Sequence, residues 1–240
     1  MADILAGFMA LPMADIHALL RGRRALVLAP HADDESLGCG GFIAAACAAG
    51  LSPHVVILTD GAASHPGSVA FPPARLRAVR EAEALQAANM LGLPAANLNF
   101  LRYPDSQLPA SGPGSQDITV SLLKIARAGH CTLLIAPWAG DPHGDHVAAA
   151  AIAEAVARRA DFQLLSYPLW GWLRNNNDLL DEPRAGGWRL DITAHLSMKT
   201  RVIAAHRSQT GDLIADCPNG FILPVDLLAI CARPFEVFIA

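Results

Sequence analysis

Strongly apolar runs alternate with helix-like runs from residue 24 to residue 160, and no other feature of this chain restricts its fold as much. "RALVLAP" (24–30), "HVVILTD" (54–60), "NLNFLRYP" (97–104) and "CTLLIAPW" (131–138) read as strands. Between and after them, residues 36–50, 73–93, 115–129 and 145–160 read as helices, with Gly92 and Gly129 as stop signals. The strands are too continuously apolar to leave one sheet face in water, so both faces must be covered. The expected fold is α/β: a Rossmann-like, mainly parallel sheet with helices on both faces, a three-layer sandwich. Beyond residue 160 the pattern loosens. Residues 162–172, 188–193 and 235–240 look like further strands, residues 193–206 like a helix, and the turn-rich 173–187 like a surface loop. The N-terminal segment, about 1–22, reads as helical with a break near Pro12. With no repeat and no low-complexity linker, residues 1–240 are expected to form a single domain.

Composition narrows the function classes. Hydrophobic residues make up 52% and charged residues 17%, which supports a full core and excludes a disordered chain. A net charge of -4 and a pI near 6.1 provide no basic footprint for nucleic acid. The mean hydropathy of +0.31 calls for a search for membrane spans. The most apolar stretches, such as "GGFIAAACAAGL", fall short of the roughly 20 residues a spanning helix needs. Asp3 stands early and no basic residue precedes Arg21, the opposite polarity to a secretory signal. Five scattered cysteines without a C-x-x-C read as free thiols of a reducing cytoplasm. The sequence does not set the oligomeric state, and a homo-oligomer is compatible with it.

The chemistry is concentrated at two strand ends. The first strand runs into "PHADDE", with His31, Asp33, Asp34 and Glu35, and the fourth is followed by "GDPHGDH", with Asp141, His143, Asp145 and His146. In an open parallel sheet the carboxyl ends of the strands share one edge, so two segments far apart in sequence can build one site. A catalytic divalent metal takes three protein ligands and keeps a position open. His31 and Asp34 supply two, and His143 or His146 the third. A cation would also offset carboxylates that otherwise repel one another. One of the adjacent aspartates can then bind metal while the other stays free as a base. The plainer account is helix capping by Asp34, Ser36 or Asp145, which leaves His31 and the second aspartate unexplained.

A dinucleotide-binding module of Rossmann type is the rival. Gly38, Gly40 and Gly41 follow the first strand and Asp60 ends the second. The glycine spacing does not fit G-x-G-x-x-G, and three acids stand where an anionic pyrophosphate would lie. The glycines are better read as close packing of a helix on a strand. No G-x-S-x-G elbow is present for serine chemistry.

"PHADDESLGCGG" and "HGDH" resemble the paired motifs of the PIG-L/LmbE family of zinc-dependent N-acetylglucosaminyl deacetylases. "LTDG" (58–61), "VREAEALQAANMLG" (79–92), "YPDS" (103–106) and "AHRSQ" (205–209) extend the likeness. Ala32 and Gly144 stand where that family usually has proline, which bears on loop rigidity only. The resemblance implies Zn2+ held by His31, Asp34 and His146, with Fe2+ or Co2+ fitting the same donors. It also implies Asp33 as general base, a protonated His143 as general acid, and Asp145 orienting His143. The implied substrate is a small molecule or glycoconjugate bearing N-acetylglucosamine, and a catalytically silent sugar-binding relative is the alternative. Arg80 and Asp105 match substrate-contact positions. An ion pair with Glu83 on its own helix is the other reading of Arg80, and a turn after Pro104 that of Asp105. Trp170 and Trp172, two apart in an expected strand, would share a face, in the core or against a sugar ring. His206 reads as a satisfied helix histidine or a residue lining the site, and Glu35 has no firm role, a contact behind the ligands or a first-turn helix acid both fitting.

Overall fold

The computed structural model describes residues 4–174, 186–211 and 213–240. Most of the expected loop 173–187 therefore lies outside the described residues. The chain runs α1 (Ile4–Ala10), β1 (Met13–Ala14), α2 (Ile16–Leu20), β2 (Arg24–Ala29), α3 (Asp34–Ala48), β3 (His54–Thr59), α4 (Pro73–Met90), β4 (Leu98–Tyr103) and α5 (Gly112–Ala128). It continues through β5 (Cys131–Pro137), α6 (Gly144–Ala160), β6 (Gln163–Tyr167), β7 (Gly187–Asp191), α7 (Leu196–Ala205), α8 (Arg207–Thr210), α9 (Val225–Cys231) and β8 (Phe235–Ile239).

The strands form one sheet in the order β1-β7-β8-β6-β5-β2-β3-β4, parallel except that β8 runs antiparallel to both β6 and β7. Successive side chains of a strand point to opposite faces. Ala25, Val27 and Ala29 of β2 accordingly enter a core with α2, α3, α4, α7 and α9. Leu26 and Leu28 enter another with α5 and α6. The three layers follow from strands that are apolar on both sides. Of the α3 glycines, Gly38 makes the expected helix-on-strand contact, with β6, whereas Gly40 and Gly41 face Lys199 of α7 and Ile192 just past β7. A Cβ on Gly38 would lie 2.4 Å from the Tyr167 ring, and one on Gly41 2.5 Å from Ile192.

Three expectations need correction. The N-terminal segment is not purely helical, because Met13–Ala14 pairs with β7 at the sheet edge. The strand expected over 162–172 ends at Tyr167, where Pro168 follows and a 3₁₀ turn, Trp170–Leu173, takes over. Successive residues of a 3₁₀ turn lie about 120° apart, so Trp170 and Trp172 do not share a face. Trp172 packs edge-on against Phe8 with ring centroids 5.0 Å apart, in a small core with Val237, while Trp170 meets Phe221.

The chain winds outward from β2 through β3 to β4, then returns to place β5 on the other side of β2. The strand order reverses between β2 and β5. The two motif-bearing loops leave these neighbouring strands at the same edge.

Candidate metal centre

His31 leaves β2 through a tight turn into α3, and Asp34 folds back onto it. Asp34 Oδ2 accepts the backbone N–H of His31 at 2.9 Å and lies 3.1 Å from its Nδ1. The same oxygen is 3.2 Å from Nε2 of His146, in the first turn of α6. His31, Asp34 and His146 are thus brought together and all are buried. Among the described residues, two sets of three hold donor atoms within 4.8 Å of one another: His31, His143 and His146, and His31, Asp105 and Asp145.

His146 is set up to present one nitrogen. Its Nδ1 lies 2.9 Å from Asp141 Oδ2. Asp141 in turn accepts the backbone N–H groups of Leu169, Trp170 and Gly171. Nε2 is buried and faces the Asp34 oxygen at 3.2 Å, with no other partner among the described residues. An imidazole fixed through one nitrogen by a carboxylate, with the other turned into a buried acidic cluster, fits a metal ligand. Asp141 was legible only as one member of a motif, and its partners come from a segment after β6.

The carboxylates crowd around the two imidazoles and call for positive charge. Burial disfavours a charged His31, yet hydrogen bonds to Asp105, Asp145 and Asp34 raise it well above the usual histidine range. Burial likewise opposes a charged His146, but Asp34 and Asp141 lift it to about 9. Burial would raise Asp105, whereas its contact with His31 and the N–H of Ala63 hold it near 2.

Asp33 points elsewhere. Its φ of 152° is a strained backbone for a residue other than glycine. It occupies the N-cap position of α3 without making a side-chain cap, so capping does not account for it. Glu35 holds the strained turn: Oε2 accepts the Asp33 N–H at 3.0 Å and Oε1 accepts the Ser36 hydroxyl at 2.7 Å. The buried His206 braces Glu35 from behind, with Nε2 3.3 Å from Oε1. These contacts describe both residues the sequence left without a firm role, and neither is among those lining the cavity. The Asp33 carboxylate faces Arg80, whose Nη2 is 3.3 Å away. Burial raises Asp33 to about 6, against the pull of Arg80 and with the push of Asp34.

Arg80 does not pair with Glu83. It is buried and donates to the carbonyls of Gly61 and Ala32, while Glu83 accepts the N–H and hydroxyl of Ser208. Asp105 is buried against His31 at 3.3 Å, and both Arg80 and Asp105 line the cavity. Asp60, the acid of the rival cofactor reading, accepts the N–H of Asp105 at 3.2 Å.

The His143–Asp145 relation differs from the one expected. The Asp145 carboxylate lies 3.1 Å from His31 Nε2 and accepts the N–H groups of Ser106 and Leu108. What touches His143 is the backbone of Asp145, whose N–H donates to Nδ1 at 3.2 Å. His143, not Asp145, therefore caps α6. Burial and the positive neighbours His31 and His146 lower the His143 pKa, which opposes the protonated state expected of it.

Gln209 lines the same cavity and is fully buried. Ser208 commits its hydroxyl proton to Glu83 at 2.6 Å, so its oxygen can only accept from Gln209 Nε2, at 3.0 Å. That orients the amide and leaves Oε1 without a partner. "AHRSQ" was visible in the sequence, but nothing in it marked this acceptor.

Relatives agree with the architecture. A "Probable N-acetyl-alpha-D-glucosaminyl L-malate deacetylase 2" of Bacillus anthracis is 27% identical over 193 residues, covering 78% of this chain and 81% of that protein. The structure of N,N'-diacetylchitobiose deacetylase from Pyrococcus horikoshii superposes with a TM-score of 0.65 at 20% identity, covering 94% of this chain and 90% of that one. The 4-carboxy-2-hydroxymuconate hydratase GalB of Pseudomonas putida superposes at 0.63 and 20% identity, covering 79% and 80%. At those identities the two structures speak for the fold alone. The profile of the PIG-L family, described as GlcNAc-PI de-N-acetylase, matches residues 26–157, more than half of the sequence and both acidic motifs. The chain belongs to the PIG-L family.

Proposed function

We propose that this protein is a metal-dependent hydrolase that removes the N-acetyl group of an N-acetylglucosamine-bearing small molecule or glycoconjugate, releasing acetate and a free amino sugar. Membership of the PIG-L family and the deacetylase activity named for the Bacillus anthracis relative support the reaction. The observation that carries the site is the buried Nε2 of His146, whose one contact among the described residues is the Asp34 carboxylate at 3.2 Å, within a cluster of carboxylates. His31, Asp34 and His146 would hold the ion, zinc first, with Fe(II) and Co(II) suited to the same donors. A bound divalent ion supplies a Lewis acid that acidifies a water and polarises the amide carbonyl.

The residues around it divide the remaining work. Asp33, strained out of the ligand set and raised to about 6, accepts the proton of the attacking water. His143, with Nδ1 occupied by the Asp145 N–H, donates from Nε2 to the oxygen where charge develops. The proton for the leaving amine then returns from Asp33. Asp145 acts by holding His31 and the 106–108 loop, not by orienting His143 through its carboxylate. Arg80 positions Asp33, and Gln209 Oε1 accepts a substrate hydroxyl.

The test is acetate release from a panel of N-acetylglucosamine derivatives. Activity should vanish on chelation and return with added zinc. Failure of the metal-loaded protein to release acetate from any of them, or hydration of a carbon–carbon double bond in its place, would overturn the reading. Asp141→Asn supplies a second check. The amide puts donors against the N–H groups of residues 169–171, so His146 loses its hold. Metal affinity should fall by roughly 10–100-fold in a competition titration with a chromophoric chelator. Unchanged affinity would remove His146 from the ligand set.

A further inference from the structure

The chemistry above uses only part of its cavity. The cavity encloses about 380 Å³, and its lining includes an apolar wall of Leu37, Trp170, Phe221 and Leu223 beside the polar Ser64, Gln209 and Asn219. Trp170 and Phe221 meet edge to face with ring centroids 5.9 Å apart. Leu37 and Leu223 belong to the main core, and the two aromatic rings pack against it. The backbone fixes this wall in place. Asp141 holds the N–H of Trp170, the N–H of Phe221 donates to Ser64, and that of Leu223 donates to Gln209. The same Asp141 carboxylate therefore locks both the wall and His146.

Charge in the cavity has one sign to spare. Arg80 is the sole arginine or lysine among its described lining residues. Its Nη1 is taken by Gly61 and its Nη2 by Ala32 and Asp33, while its Nε is buried without a hydrogen-bond partner. Asp33, Asp34 and Asp105 face the same space. A carboxylate or phosphate placed against this wall would give up its hydration for aromatic faces, and among the described lining residues no arginine or lysine beyond the engaged Arg80 replaces the lost water. An apolar group loses nothing there and dehydrates the wall.

We infer that the substituent carried by the substrate's amino sugar is uncharged and apolar, and that it lies against Trp170, Phe221 and Leu223. This rests on the deacetylase reading.

Matched substrates test it: p-tolyl and p-carboxyphenyl N-acetylglucosaminides of both anomers, with free N-acetylglucosamine as the baseline. The metal-loaded protein should deacetylate the tolyl glycoside with kcat/KM about tenfold or more above the carboxyphenyl one. Phe221→Ala should bring that ratio close to one, mainly by slowing the tolyl substrate. Equal rates on the two glycosides, or a preference for the carboxylate, overturn the inference and leave the deacetylase reading intact. If no acetate is released from any compound, the deacetylase reading fails. Calorimetric binding of the two glycosides then decides the inference: tighter tolyl binding that Phe221→Ala abolishes upholds it, and equal or tighter carboxyphenyl binding overturns it.

Discussion

Asp33→Asn should lower kcat by at least about 10²-fold while leaving the metal content unchanged, the loss expected when a positioned general base is removed. The amide keeps an oxygen for Arg80, and Glu35 still holds the backbone N–H at residue 33, so the turn should survive. Elemental analysis beside single-turnover kinetics reads both quantities. Full metal with near-normal turnover would show that the proton goes elsewhere. Loss of metal along with activity would place Asp33 among the ligands. The adjacent acids Asp33 and Asp34 are chemically alike, and the fold sets them apart. Asp34 lies between two imidazoles that drive its pKa well below the usual carboxylate range despite burial, whereas Asp33 has only a guanidinium that is shared with two carbonyls.

The largest effect on stability should come from a pair far from the chemistry. Lys199 Nζ and Glu236 Oε1 are 2.7 Å apart and both side chains are buried. Glu236 also accepts the N–H groups of Gly41 and Phe42, which ties β8 and α7 to the middle of α3. Lys199→Met strands a buried carboxylate and should cost about 3–5 kcal/mol. In a domain of this size that lowers Tm by on the order of 10 °C, measurable by calorimetry. Adding Glu236→Gln removes the stranded charge but keeps an acceptor for the α3 backbone, and should recover much of the loss. If Lys199→Met shifts Tm by only a degree or two, water reaches the pair and it is not a buried anchor.

How much of this was legible follows from where each residue sits. Strands apolar on both faces leave little choice but a covered parallel sheet, and such a sheet brings the ends of β2 and β5 to one edge. His31, Asp34, Asp145 and His146 could therefore be grouped from position alone. The parts played by Asp141, Glu35 and Gln209 could not be read, since they depend on residues 169–171, on His206 and on the contact of Ser208 with Glu83, which distant segments supply. The Trp170–Trp172 expectation failed because period 2 was extended past Pro168, where the backbone tightens to period 3. The Asp145 expectation failed because a shared motif does not say whether a side chain or a backbone N–H makes the contact.

The position of β8 has a consequence for how the molecule is assembled. This strand is made well after β7 yet lies between β6 and β7, antiparallel to both. During synthesis, β2 to β6 can pair as soon as they emerge, and the loops bearing His31 and His146 meet without help from later strands. β7, with β1 on its outer side, has no strand of the growing sheet to join until Phe235–Ile239 arrives. The edge that carries His31 and His146 can thus form early in the nascent chain. The far end of the sheet closes in a single late event, when one short antiparallel strand bridges the gap and Glu236 reaches Lys199.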